Sequence, residues 1–389
     1  MTNAPDIIAF AKDFGEAPTS CNHILRELAH TRRVLWLNSV ATRTPKLSSP
    51  RDRGRIGRKL REFARGPINV ENGLWIFTPI VLPFPHSPLA RRINRQILRA
   101  TVRILRARLR ISDFQLWTFI PTVADYLGIL GESLIVYYCV DEFSMFSNID
   151  TAPVLAAEKT LLERADCVFA VTPALADRKR SLNPNTHLSP HGVDHAFFSR
   201  ALDPMTIIPA DLASLPHPVI GFYGTIADWV DLDLVAYLAR SHPEWSLVMI
   251  GPVMVDTAAV RGFPNVHLLG RREHRDLPSY CKGFDVGLIP YRLIDRMPFV
   301  NPIKLREYLS AGLPVVSTAV PEVRRYSSWC LVGESHEEVR LAIERALRED
   351  SPEKRRARSQ AMESETWQAR VDEIERIVRD TALRKRGNR

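Results

Sequence analysis

The sequence predicts an α/β protein of two doubly wound domains, each a parallel sheet with helices on both faces. Short apolar, β-branched or aromatic runs alternate with helix-period stretches almost from end to end. IIAF, VLWL, LWIF, QLWTF, LIVYYCV and CVFAVT occupy the first half; VIGFYG, SLVMIG, NVHLLG, DVGLIP and PVVS occupy the second. Runs of this kind are strands buried on both faces by crossover helices. The 389 residues, 45% hydrophobic and 25% charged, suit two cores better than one. The pattern breaks where Pro204, Pro209, Pro216 and Pro218 cluster, which predicts a linker over 201–217. The expected domains are therefore Rossmann-like units over 1–200 and 218–365. In 366–389, Trp367, Val371, Ile374 and Ile377 recur at spacings of four and three, so a one-sided docking helix is expected there.

Composition narrows the classes of function. The opening MTNAPDIIAFAKDFG meets charge before any apolar stretch of signal length, and the longest apolar runs are strand-sized, so a cytoplasmic protein is expected. Five scattered cysteines without a C-x-x-C pair argue against a disulfide framework or a zinc site. A net charge of +9 calls for an anionic partner: nucleic acid, phospholipid or a phosphorylated small molecule.

Two segments concentrate that charge. Nine Lys or Arg between Arg43 and Arg65 stand against Asp52 and Glu62, a net of 9 − 2 = +7, within a basic insertion over 41–66. Eight arginines and no acid lie between Arg91 and Arg110, inside a helix expected over 88–110. On its wheel Arg92, Arg95, Arg99, Arg103, Arg106 and Arg110 line one side, and Ile93, Ile97, Leu98, Val102, Leu105 and Leu109 the other. Either the arginines are solvated over a packed apolar side, or Arg95, Arg99, Arg103 and Arg106 meet an anionic membrane. No helix-turn-helix, RNA-recognition or zinc-finger signature accompanies them, so nucleic acid is not the expected partner.

The chemistry concentrates in the second half. VIGFYGTIADW is a strand ending in Gly221 and Gly224, where glycine lets a diphosphate approach the backbone; a tight turn is the alternative. In YRLIDRMPFVNPIKLREYLSAGLPVVST, Pro302 opens a helix, Lys304 and Glu307 share one face of it, and Gly312 with Pro314 ends it. The lysine suits a diphosphate and the glutamate the paired hydroxyls of a ribose, whereas a surface salt bridge is the plainer reading.

This segment resembles the signature of glycosyltransferase family four, whose members have the GT-B fold of two Rossmann-like domains facing across a cleft. Glu307 precedes SAGLPVVS as the family's glutamate precedes A-x-G-x-P-V-V. HGVD at 191–194 with Phe197, NVHLLGRRE and the terminal TWQARV are similar to further family segments in the same order. The likeness is good over about 165–385 and thin before it. It implies transfer of a sugar from a nucleotide-sugar donor with retained configuration, and it implies that Glu307 binds the donor ribose; no metal or other cofactor is expected. The family's acid eight positions before that glutamate is replaced by Phe299, and its arginine and lysine after the first-strand glycine by Thr225, Ile226, Asp228 and Trp229. The diphosphate then falls to Lys304, Gly224, Thr225, the backbone around Asn301, and the Arg271, Arg272, Arg275 cluster.

In the first domain, DFGEAPTS places Gly15 where the family has a glycine loop over the donor, or forms an ordinary turn capped by Thr19 or Ser20. YYCVDEF places Asp141 and Glu142 at a strand's carboxyl end, and Asp141 is the candidate acceptor-orienting residue or base beside Lys304 in the catalytic set. His191 reads as a turn residue, and His23, His86 and His274 have no partner at metal-ligand spacing. The expected partners are a nucleotide-sugar, a glycan or lipid-linked acceptor and an anionic membrane surface. A nucleotide-sugar epimerase, or a non-catalytic membrane-associated scaffold of the same fold, is the rival reading.

Overall fold

The structure is a computed structural model that describes residues 4–16, 18–39, 50–84, 87–145 and 151–387. The stretch 41–49 of the basic insertion, and His86, lie outside the described residues. The chain divides into two compact units, Met1–Pro190 with Val371–Arg389, and His191–Arg370.

The first unit is built on an eight-stranded sheet: β1 (Asp6–Phe10), β2 (Val34–Leu37), β3 (Ile68–Glu71), β4 (Leu74–Phe77), β5 (Phe114–Thr118), β6 (Leu134–Cys139), β7 (Cys167–Ala170) and β8 (Thr186–Leu188), in the order β3-β4-β2-β1-β5-β6-β7-β8. All neighbours are parallel except β3, which pairs antiparallel with β4. β1, β2, β5, β6 and β7 are buried along their whole length, as continuous apolar runs require. β3, INVE, is exposed and carries no apolar run, so hydrophobic reading passes over it. Its hairpin turns at Asn72-Gly73, the dipeptide a tight two-residue turn favours. Gly73 has φ +79°, and a Cβ there would lie 2.2 Å from the Ala29 carbonyl oxygen.

The second unit holds a wholly parallel six-stranded sheet: β9 (Val219–Tyr223), β10 (Ser246–Ile250), β11 (Val266–Gly270), β12 (Val286–Ile289), β13 (Val315–Thr318) and β14 (Cys330–Gly333), ordered β11-β10-β9-β12-β13-β14. The chain runs outward from β9 through β10 to β11, then returns to the other side of β9 with β12. The carboxyl end of β9 is therefore the point where strand order reverses, the place where open α/β sheets receive ligands. In the first sheet the same reversal falls between β1 and β5.

Two boundaries differ from the sequence reading. Residues 191–217 belong to the second unit rather than to the first domain and a linker. Phe198 and Leu212 are buried in its core, and the Lys282 ammonium donates to the carbonyls of Asp203 (2.7 Å) and Pro204 (2.9 Å). The prolines interrupt long elements there, but the short turns between them pack. At the other end, the second unit stops at Arg370, within the helix Trp367–Gly387, and the remainder of that helix belongs to the first unit. Lys385 there pairs with Asp166 at 2.7 Å, and Asn185 donates to the Thr381 hydroxyl at 3.2 Å.

The helix Ile303–Ser310 is anchored at both ends. Its carboxyl end closes in a Schellman motif: Gly312 (φ +79°) donates to the Leu309 carbonyl at 2.9 Å and Leu313 to that of Tyr308 at 2.9 Å. Arg306, fully buried, donates to Asn301 Oδ1 (2.7 Å), the Tyr326 hydroxyl (2.7 Å), Glu322 (3.4 Å) and Glu365 (3.4 Å). Removing one side of a buried ionic network leaves uncompensated charge. Arg306→Met should therefore destabilise the second unit by about 3 kcal/mol, read as a fall in its urea midpoint.

Candidate functional site

The site is assembled around the carboxyl end of β9. The backbone there is a terrace of glycines: Gly224 (φ +141°), Gly251 (φ +146°) and Gly270 (φ +71°) end or follow β9, β10 and β11. Gly224 donates to the Ile250 carbonyl at 2.8 Å and Gly251 to that of Gly270 at 2.9 Å. A Cβ on Gly251 would lie 2.0 Å from the Gly224 carbonyl oxygen, so the two turns can nest only without side chains. Thr225, half-buried, opens the following loop. That loop is held from two sides: Ile226 bridges Val253, and Val230 bridges Tyr291.

The helix Ile303–Ser310 presents Lys304 and Glu307 to this terrace. The half-buried Lys304 side chain lies directly against Gly224, where an added Cβ would meet Lys304 Cε at 2.4 Å and Nζ at 2.8 Å. Its ammonium stands 5.9 Å from the Phe222 ring centroid, and no hydrogen bond or salt bridge among the described residues engages it. Glu307, only 7% exposed, accepts a 2.8 Å hydrogen bond from the Tyr223 hydroxyl on Oε2. Burial pushes its carboxyl above the ordinary range, against the opposing pull of Lys304 and Tyr223. The plainer reading of the sequence, a solvated ion pair on the helix surface, does not hold, because Arg306 turns inward and Glu307 is buried. A cation and a carboxylate at the switch point of a parallel sheet can hold an anion and a hydroxyl-bearing group side by side.

Three of the other residues proposed from sequence have different positions. Arg272 is committed to structure: its guanidinium donates to Asp211 (2.7 Å), the Tyr280 hydroxyl (2.7 Å) and the Leu269 carbonyl (2.5 Å). The Asn301 side chain is taken up by Arg306, from which it accepts, and by Glu322, to which it donates at 3.2 Å. Arg271 is exposed on the loop after β11. The sequence could not distinguish these arginines, because the acid that captures Arg272 lies sixty-one residues earlier.

In the first unit, exposed Gly15 follows β1 and half-buried Asp141 follows β6, both at carboxyl ends of strands. A Cβ on Gly15 would meet nothing within 4 Å, so local packing does not require glycine there. The neighbouring Glu142 points inward and joins a buried network: Lys179 lies 2.9 Å from Glu142 and 2.8 Å from Glu158, which accepts from the Tyr137 hydroxyl at 2.8 Å. Burial opposes ionisation of Glu142, but Ser144 and Lys179 prevail and hold its carboxyl below the ordinary range. This network braces the turn that carries Asp141.

The cationic helix spans Pro88–Leu109 and buries Ala90, Asn94, Leu98, Val102, Leu105 and Leu109. Arg95, Arg99 and Arg103 are exposed. Arg106 is not part of their face: it donates to the carbonyls of Ser112 (2.6 Å) and Leu130 (3.3 Å), and its guanidinium lies 4.7 Å from the Phe114 ring centroid. Ile93, expected on the packed side, is 39% exposed, and Leu89 (68%) and Ile104 (66%) are more so. The helix thus carries an apolar stripe in solvent beside its arginines. No helix among the described residues is long and apolar enough to cross a membrane.

These two parallel α/β units, with a lysine and a buried carboxylate at the switch point of the second, share the fold of the GT-B glycosyltransferases. Residues 217–349 match the family model described as glycosyl transferases group 1. The chain is 25% identical over 226 residues to TuaH of Bacillus subtilis strain 168, named as a teichuronic acid biosynthesis glycosyltransferase. That match takes in 54% of this chain and 56% of the relative, so the chain spans about half the length of the curated relative it matches. Among solved structures, sucrose-phosphate synthase from Thermosynechococcus elongatus superimposes with a TM-score of 0.68 at 16% identity, covering 97% of this chain and 99% of that one. HepE from Anabaena, solved in complex with UDP and glucose, gives a TM-score of 0.64 at 13% identity, covering 96% and 98%.

Two variants test the site's geometry. Gly224→Ala places a Cβ into the Lys304 side chain at a backbone angle that disfavours it, and should destabilise the second unit by about 1 kcal/mol or more, read in urea unfolding. For Glu307, a folded pKa raised above its ordinary 4.5 means that the folded state holds the proton more tightly than the unfolded state does. The associated stability is full below 4.5 and is lost as pH rises through the folded value. Glu307→Gln should therefore raise the melting temperature at pH 8, with the gain shrinking toward pH 4.5.

Proposed function

We propose that this protein is a glycosyltransferase that moves a sugar from a nucleotide-sugar donor to a glycan or lipid-linked acceptor at a membrane surface, with retention of configuration. One observation carries the reading: at the switch point of the second sheet the Lys304 side chain lies against Gly224, and the Glu307 carboxylate of the same helix is held by the hydroxyl of the adjacent Tyr223. The family match over 217–349 and the teichuronic acid relative support it.

As the glycosidic bond to the diphosphate stretches, negative charge gathers on the leaving phosphate and the sugar becomes oxocarbenium-like. Lys304 is the fixed cation for that charge, and the open glycine backbone at Gly224 lets the phosphates approach it. In this scheme Thr225 and the backbone at Asn301 also meet the phosphates, and exposed Arg271 is a further cation for them. Glu307 accepts from the ribose hydroxyls, and Asp141 orients the acceptor hydroxyl or takes its proton. No metal is needed in this scheme because lysine supplies the positive charge.

A screen of UDP-, GDP-, ADP- and dTDP-sugars, read by nucleotide release, should find an active donor, and release should persist in EDTA. Lys304→Ala should lower turnover on that donor by about a hundredfold or more. Unchanged turnover would remove Lys304 from the mechanism. Isomerised sugar nucleotide formed without acceptor would point to an epimerase instead.

For the membrane, the helix Pro88–Leu109 offers both components of interfacial binding: Leu89, Ile93 and Ile104 to enter the acyl boundary, and Arg95, Arg99 and Arg103 to meet anionic headgroups. Each arginine contributes about 1 kcal/mol near such a surface. Replacing the three with Gln should lower partitioning onto phosphatidylglycerol vesicles by about a hundredfold. Arg106→Gln should instead act on folding, because its partners are internal.

A further inference from the structure

We infer that Tyr223 is a positioning residue: its hydroxyl fixes the Glu307 carboxylate and thereby makes the site select ribonucleotide over 2′-deoxyribonucleotide donors. The inference rests on the reading of Glu307 as the ribose acceptor and adds to it the group that sets its orientation.

Tyr223 is the last residue of β9 and is itself held from several sides. Its ring stacks on Phe198 (6.5 Å, 4°) and meets Tyr308 edge-on (4.9 Å, 78°). Pairing of β9 with β12 stops at Gly221, and beyond that point the Tyr223 N–H donates to the Tyr308 hydroxyl at 3.0 Å. A side chain thus replaces the missing strand partner, and both the backbone and the ring of Tyr223 are fixed. A phenol has one proton to donate, and this one goes to Glu307 Oε2 at 2.8 Å. The carboxylate therefore cannot turn about its own axis without losing a hydrogen bond in a buried place. Its remaining lone pairs keep one direction, the condition under which a site tells a hydroxyl from a hydrogen. A ligand without the 2′-hydroxyl would leave a buried carboxylate oxygen unmatched. Without the Tyr223 hydroxyl, the carboxylate could rotate to other donors, Lys304 on the same helix among them, and the penalty for the missing hydroxyl would fall.

The test is calorimetric binding of UDP, GDP and ADP, each beside its 2′-deoxy counterpart, to wild type, Tyr223→Phe and Glu307→Gln. Wild type should prefer the ribonucleotide it binds best by about tenfold or more. Tyr223→Phe keeps the ring and should shrink that preference to about threefold or less. With an active donor sugar, the same variant should raise KM while kcat stays within about twofold, a split that a general loss of fold would not produce. If Tyr223→Phe keeps the wild-type preference while Glu307→Gln loses it, the positioning role is overturned and the ribose reading stands. If Glu307→Gln also keeps the preference, or if wild type binds none of the nucleotides, the ribose reading itself falls and the inference falls with it.

Discussion

The rotation of one eight-residue helix, Ile303–Ser310, decides what the second unit can do. Lys304, Arg306 and Glu307 sit within a single turn, and only one orientation sends the arginine inward while the other two face the end of β9. Arg306 fixes that orientation by giving its guanidinium to Asn301, Glu322, Tyr326 and Glu365. A buried ionic network of this kind adds little net stability over an apolar substitute, but it penalises every arrangement in which a partner is lost. The Schellman closure at Gly312 limits the helix from its other end. Between the two, the lysine and the glutamate have little freedom.

The resulting site opposes stability to function. Glu307 is buried with one phenolic donor, and the burial that raises its pKa makes a carboxylate costly to keep there. Lys304 lies over a glycine whose missing side chain is the space it occupies. Both features leave polar capacity turned toward a ligand rather than spent within the chain. The first unit treats its own carboxylates differently: Glu142 and Glu158 share the Lys179 ammonium, Arg178 adds a second cation beside Glu142, and the adjacent Asp141 is left half-buried at the sheet edge.

The surface helix Pro88–Leu109 shows how a wheel drawn from sequence can mislead. The division into arginine and apolar sides was legible, but only part of the apolar residues is buried, because a helix lying on the surface of a domain buries one strip of its circumference. Leu89, Ile93 and Ile104 stay in solvent, and Arg106 leaves the cationic row to satisfy carbonyls beyond the helix end.

The sequence by itself determined the repeated α/β plan, the helix bearing Lys304 and Glu307, and the glycine at the end of β9. Those features are local: strand runs, helix spacing and turn glycines are encoded within a few residues of one another. Only the tertiary structure decided that 191–217 packs as part of the second unit, that Arg272 is held by Asp211, and that Tyr223 grips Glu307. The last two contacts join residues sixty-one and eighty-four positions apart. Side chains of one type look alike in a sequence, and it is the distant partner brought near by folding that separates a structural arginine from an available lysine.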